Sequence, residues 1–163
     1  MGNSGHRRPH LKALASVPAL ESMMAEQLRI LLVDDNVAVL HYVLQLLPSD
    51  CELVGTLSDS KLVVQQVPVL RPDLIILDIT MGEVNGFDVA RQLRVAHCSS
   101  KIVFLTVHQE FEFIQAAFDA GAAGYVFKSR LRNDLPAAIN AVRNGKIFLS
   151  ADNGSFGAGA GRP

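Results

Sequence analysis

Leu74-Ile75-Ile76-Leu77-Asp78 places four branched apolar residues directly before one carboxylate. A run without polar alternation predicts a strand covered on both faces, as in a parallel sheet. An acid at the end of that strand, followed by Met81-Gly82 and then Asn85-Gly86, falls in the crevice outside the sheet, where open α/β sheets bind ligands. Asp78 is therefore the candidate chemical centre.

The flanking chain repeats the pattern. Arg29–Val33 reads as a short apolar strand ending at Asp34-Asp35, and Asn36 can cap a helix carrying Val37, Leu40, Val43, Leu44 and Leu47 at helical spacing until Pro48. Glu52–Leu57 is a second strand. Asp59-Ser60 can cap a second helix, which Pro68 keeps short. Gly86 opens a third helix with Phe87, Ala90 and Leu93 inward, and Ile102–Thr106 is a fourth strand. Glu110–Ala120 is a helix closed by Gly121, Tyr125–Phe127 a fifth strand ending at Lys128, and Asn133–Asn144 a last helix, with Leu135, Ile139 and Val142 inward, ended by Gly145. Five alternations of strand and helix predict a doubly wound α/β fold: a five-stranded parallel sheet, five helices on its two faces, and right-handed crossovers.

In a parallel sheet all the strand ends share one edge. Asp34, Asp35, Asp78, Thr106 and Lys128 should therefore meet at one rim. Three carboxylates held close raise one another's pKa unless a cation lies among them. The hard cation suited to a few carboxylate oxygens is Mg²⁺. A carboxylate in such a place can attack a phosphoryl group, with a lysine neutralising charge and a threonine donating a hydrogen bond. No GxxxxGK[ST] or GxGxxG occurs, so the phosphoryl donor is expected to be external. Taken singly, the acids could be a helix cap, Thr106 a strand residue, Tyr125 ordinary packing and Lys128 a solvated charge. Only the ordered set overturns those readings.

Composition bounds the alternatives. The chain has 163 residues, 49% hydrophobic and 19% charged, with a net charge of −1: a globular chain with a core. Residues 28–150 hold 11 Lys/Arg against 13 Asp/Glu, so no nucleic-acid surface is advertised. No apolar run approaches a membrane span. Cys51 and Cys98 have no metal-ligand spacing and read as reduced thiols of a cytoplasmic protein. Residues 1–27 read as a flexible extension and not a signal peptide, since Lys12 and Pro18 interrupt the apolar stretch. Met24, just before the first strand, fits an over-called start. Residues 151–163, rich in Gly and Ala, read as a flexible tail or linker stub.

The pair Asp34-Asp35, the Asp78-x-x-Met81 element, Gly86, Thr106 and Lys128 together resemble the receiver domain of two-component response regulators over residues 28–150. The resemblance implies a flavodoxin-like strand order of 2-1-3-4-5 and a cytoplasmic signalling module that is not an enzyme in the ordinary sense. Asp78 would accept a phosphoryl group from a sensor histidine kinase. Asp35 would be a direct Mg²⁺ ligand, Asp34 an acid acting largely through water, and Thr80 a ligand through its backbone carbonyl. Thr106 and Lys128 would contact the phosphoryl group, and Tyr125 would be the switch aromatic. Gly124–Ser129 and Asn144–Ser150 resemble the NarL/FixJ subfamily, which implies a homodimer through the last helix and its neighbours. Members of that subfamily usually continue into a LuxR-type helix-turn-helix, for which this chain leaves no room. The alternative is therefore the N-terminal receiver fragment of a DNA-binding regulator.

Three positions depart from the family pattern. Gly82 stands where Pro is usual and should loosen the loop. Val107 stands where a small residue is usual and should narrow access to Asp78. Ser129 follows Lys128 in place of Pro. An Asp-nucleophile phosphatase of the haloacid dehalogenase type would need a second acid two residues after Asp78, where this chain has Thr80. A transcription factor acting alone is disfavoured by the acidic body.

Overall fold

The computed structural model describes residues 27–151. The expected N-terminal extension, apart from residue 27, and the Gly/Ala-rich tail after residue 151 lie outside the described residues. Six strands form one parallel sheet: β1 (Leu28–Val33), β2 (Cys51–Leu57), β3 (Leu74–Asp78), β4 (Lys101–Thr106), β5 (Gly124–Phe127) and β6 (Phe148–Leu149), in the order β2-β1-β3-β4-β5-β6. Between them run helices α1 (Val37–Leu46), α2 (Val63–Leu70), α3 (Gly86–Val95), α4 (Phe111–Asp119) and α5 (Leu131–Arg143). The doubly wound sheet with five helices is as expected. The sixth strand was not, because two residues after Gly145-Lys146 are too short to show a period of two.

The sheet separates two apolar layers because successive side chains on a strand point to opposite faces. Leu31, Val33, Ile75, Leu77, Phe104 and Tyr125 meet residues of α2, α3 and α4 on one face. Ile30, Leu32, Ile76, Val103, Leu105 and Val126 meet residues of α1 and α5 on the other. All five residues of β3 are buried, which accounts for its unbroken apolar run.

Local chemistry sets the helix ends. The side chain of Asn36 accepts from the N–H groups of Ala38 and Val39, and that of Asn85 accepts from Asp88 N, so each fills donors that the first turn leaves open. Pro68 lies inside α2, and the helix stops two residues later with Arg71 in a left-handed conformation, φ 46°. There the guanidinium of Arg29 donates to the carbonyls of Leu70 and Arg71, closing the helix end that the proline weakens. The last helix begins at Leu131, two residues earlier than its apolar spacing indicates, because a single 3-10 turn (Lys128–Arg130) feeds into it. Of the apolar positions on α1, only Leu40 and Val43 are buried. Val37 and Leu44, at the same helical spacing, are exposed.

Candidate functional site

Strand register alone builds the rim. Val33 pairs with Leu77, which sets Asp34 level with Asp78. Asp78 pairs with Leu105, so Thr106 lies one step further along the next strand. Thr106 pairs with Phe127, so Lys128 lies one step beyond that. Asp34, Asp78 and Thr106 are all buried, while Asp35 is exposed. The ammonium of Lys128 lies 3.0 Å from Asp78 Oδ2 and 2.7 Å from Asp34 Oδ2. The structure thus brings Asp34, Asp35, Asp78, Thr106 and Lys128 to the one edge where they were expected.

The charges are unequally settled. Asp34 Oδ1 accepts from Asn36 N at 2.8 Å. Its Oδ2, although close to Lys128, lies outside hydrogen-bonding direction and is a buried oxygen without a hydrogen-bond partner. The ammonium directs its hydrogen bond to Asp78 instead. Burial pushes the Asp78 carboxyl above its ordinary value. Lys128 opposes that rise, the charge of Asp34 adds to it, and the Thr80 N–H opposes it. Burial also works against the charge on Lys128, but the nearby carboxylates of Asp34 and Asp78 together outweigh it, and its pKa is raised. An ion pair alone would lower Asp78; desolvation of a carboxylate crowded by a second one wins.

One carboxylate oxygen each from Asp34, Asp35 and Asp78 can lie within 4.8 Å of the others. An all-oxygen set, one member exposed and another holding an orphaned buried oxygen, fits a hard divalent cation that keeps some of its water. Mg²⁺ therefore fits the residues present. The backbone carbonyl of Thr80, two residues past Asp78, belongs to the same loop.

Gly86 opens α3 under Asp78 for a steric reason. A Cβ there would fall 2.3 Å from the Asp78 carbonyl oxygen and 3.0 Å from Ile79 Cα. Its N–H donates to Ile79 O at 2.8 Å. Gly82 adopts φ +52°, a left-handed conformation closed to proline. Proline could not take its place in this turn. Val107 is 67% exposed, so it is not packed over the buried Asp78 as expected.

The residue to which sequence reasoning assigned no part is His108. Its N–H donates to Thr106 Oγ1 at 3.1 Å, and its carbonyl accepts from the Tyr125 hydroxyl at 3.0 Å. Its Nε2 lies 2.9 Å from Thr80 Oγ1, and its ring stacks on Phe113 at 4.0 Å. The available signal was its place two residues after Thr106. Tyr125 is fully buried, edge-on to Phe127. Burial pushes its phenol up, the charge of Glu110 adds to this, and the nearby Thr106 opposes it.

Comparison with known proteins agrees with this geometry. Residues 30–140 match the response regulator receiver domain. The chain belongs to that family. It is 31% identical over 120 residues to the DNA-binding transcriptional activator EvgA of Escherichia coli strain K12, covering 73% of this chain and 59% of EvgA. It is 33% identical over 127 residues to the nitrate/nitrite response regulator protein NarL of the same strain, covering 77% of this chain and 59% of NarL. Among solved structures, the isolated receiver domain of RcsB from Salmonella enterica serovar Typhimurium, with the phosphomimetic BeF3-, superposes with a TM-score of 0.71 at 26% identity, covering 76% of this chain and 94% of that one. A LuxR-family response regulator from Aurantimonas sp. SI85-9A1 gives a TM-score of 0.71 at 31% identity, covering 75% of this chain and 89% of the other. No helix among the described residues is long and apolar enough to cross a membrane.

Proposed function

We propose that this receiver domain takes a phosphoryl group onto Asp78 and uses it to reset the surface around α4 and β5. The observation that carries the reading is the ammonium of Lys128 held between two buried carboxylates on neighbouring strand ends, with buried Thr106 at the end of the strand between β3 and β5. Such a site has a nucleophile and two charge-stabilising groups but no nucleotide-binding loop, so it acts as an acceptor and not as a kinase.

An Asp78 oxygen attacks phosphorus, and the bond from phosphorus to the donor breaks. For a phosphohistidine on a sensor kinase, the imidazole nitrogen leaves with the electron pair. Lys128 then turns from the Asp78 carboxylate to a phosphoryl oxygen, and Thr106 donates its hydroxyl to another. Asp34, Asp35 and Asp78, with the backbone carbonyl of Thr80, would hold Mg²⁺, which neutralises phosphoryl charge when bound. Because Thr106 Oγ1 already accepts from His108 N, and His108 O holds the Tyr125 hydroxyl, any turn of Thr106 reaches α4 through His108.

The partners of this reading are a histidine kinase and a second copy of the chain or another protein, in the cytoplasm. With 11 Lys/Arg against 13 Asp/Glu over residues 28–150, the body is mildly acidic, which argues against DNA binding by this part of the chain. A second reading is carried by one observation: the matched region is 59% of EvgA and NarL, so the same switch could serve as the receiver part of a DNA-binding regulator.

Incubation with radiolabelled acetyl phosphate and Mg²⁺ tests the reading. About one equivalent of acid-stable, hydroxylamine-labile label is expected on the wild type and none on Asp78→Asn. Label retained by that variant places the acceptor elsewhere.

A further inference from the structure

We infer that strand β6 is an output element of the switch: Ser150, clamped to Asp134 and to the backbone of β5, passes a rearrangement at Lys128 and Tyr125 to the chain at residue 151. The inference rests on Asp78 being the phosphoacceptor.

Among the described residues, Ser150, fully, and Asp134 are buried polar side chains that the phosphoryl chemistry does not use. Burying a hydroxyl and a carboxylate is costly unless both are hydrogen-bonded. Here each bond runs to a piece of chain that the rim also uses. The Ser150 hydroxyl donates to Asp134 Oδ2 at 2.6 Å and accepts from Phe127 N at 3.1 Å. The Ser150 N–H donates to Tyr125 O at 2.8 Å. Asp134 also accepts from Arg130 Nε at 2.8 Å, and Arg130 ends the short turn that Lys128 begins. Ser150 is thereby tied to chain on both sides of Lys128: directly to Tyr125 and Phe127 before it, and through Asp134 to Arg130 after it.

Lys128 cannot change partners without disturbing that arrangement. Its ammonium spans Asp34 and Asp78, and the residue before it supplies the N–H that fills Ser150 Oγ. Packed elements respond to such a pull by moving between discrete arrangements, not by stretching. The shortest strand in reach is β6, at the sheet edge. It has two residues and pairs only with β5. Ile147 before it is 71% exposed. Short edge elements with few buried contacts open first. β6 is thus tied to the switch through Ser150 and held otherwise by one partly buried side chain, Phe148, against the second apolar layer, the combination a relay to the following chain needs. It also gives a purpose to the Asn144–Ser150 stretch that the phosphoryl chemistry leaves unused.

Amide hydrogen exchange on the full chain with Mg²⁺, with and without beryllium fluoride, tests this. In the wild type the exchange rates at Phe148 N and Ser150 N, which donate to Ala123 O and Tyr125 O, should change by about fivefold or more between the two states. In Ser150→Ala and in Asp134→Asn that response should be lost, while the response at Thr106 and Tyr125 remains. If Ser150→Ala does not fold, Asp134→Asn, which keeps the side chain's size, decides alone. A changed Tyr125 environment with unchanged exchange at Phe148 and Ser150 overturns the inference and leaves the phosphoacceptor reading standing. No response at either place overturns both. Variants that keep the full β6 response show that the clamp is not the conduit.

Discussion

Lys128→Ala tests the balance of charge at the rim most directly. The side chains of Asp34 and Asp78 are 2% and 6% exposed, and that of Lys128 is 16% exposed. Removing one partner from a buried ion pair leaves the other uncompensated, at a cost of about 3–5 kcal/mol. Water can enter through the partly open lysine side, so the lower end, about 3 kcal/mol, is expected. For a domain of this size that lowers the melting temperature by about 10–15 °C. The loss should appear in EDTA and shrink with Mg²⁺, because a ligand at a hundred times its dissociation constant adds about 2.7 kcal/mol to the folded state. The variant should gain more from Mg²⁺ than the wild type, since the ammonium no longer competes for the same oxygens. Pairing it with Asp78→Asn should recover about 1–3 kcal/mol, because the two changes touch one network. Urea denaturation of the four proteins, each with EDTA and with Mg²⁺, supplies the cycle. A single variant within about 0.5 kcal/mol of wild type in EDTA would refute the account of the ion pair. An identical Mg²⁺ effect in both would refute competition between lysine and metal.

Asp78→Asn should be more stable than wild type at pH 7 in EDTA. The folded carboxyl is raised above its ordinary 3.8, so ionisation opposes folding as pH climbs from 3.8 through the folded value. The advantage should fade as pH falls back through that window; a gap that widens in acid reverses the sign. Gly86→Ala puts a Cβ against the backbone of Asp78 and Ile79, so a loss of about 2 kcal/mol in urea denaturation and slower labelling of Asp78 are expected; wild-type stability would mean that α3 can move away freely. At Gly82, with φ +52°, alanine should cost about 1 kcal/mol and proline more. A proline variant as stable as wild type, judged by its denaturation midpoint, would show that the loop can adopt another turn.

What the chain reveals about itself depends on how local the cause is. Asp78 was legible because a wholly buried strand leaves an unbroken apolar run, and its polar terminus stands out. Asp34, Thr106 and Lys128 followed because parallel strands bring equivalent ends together. Short-range competition was harder to read. Pro68 weakens α2, but Arg29, more than 40 residues away, caps the end. The start of α5 was misplaced because the turn at Lys128–Arg130 carries no side-chain cap. Asp134, Ser150 and His108 were assigned no part because what makes each matter is a partner in space: a serine 16 residues on, or a tyrosine 17 residues on. Arg130 and Asp134 at helical spacing were the one local hint.

The position of Tyr125 changes how the switch must work. The resemblance implied that Tyr125 is the switch aromatic, and here its ring is already buried, with its hydroxyl on His108 O. On the proposed reading, a phosphoryl group therefore has no exposed ring to draw in. It acts first on the Thr106 hydroxyl, whose present partner is the N–H of His108. That N–H and the carbonyl holding Tyr125 belong to one residue, so freeing the first disturbs the second. The same residue is tied to Thr80 and stacked on Phe113 of α4, so the loop can retie its backbone only by breaking contacts on three elements. This favours two discrete states over a graded drift. The His108 amide is the place to see it: under slow exchange with beryllium fluoride it should show two resonances, not one that moves with occupancy. A single peak that shifts continuously at every field strength would mean that the loop yields gradually and that the output lies elsewhere.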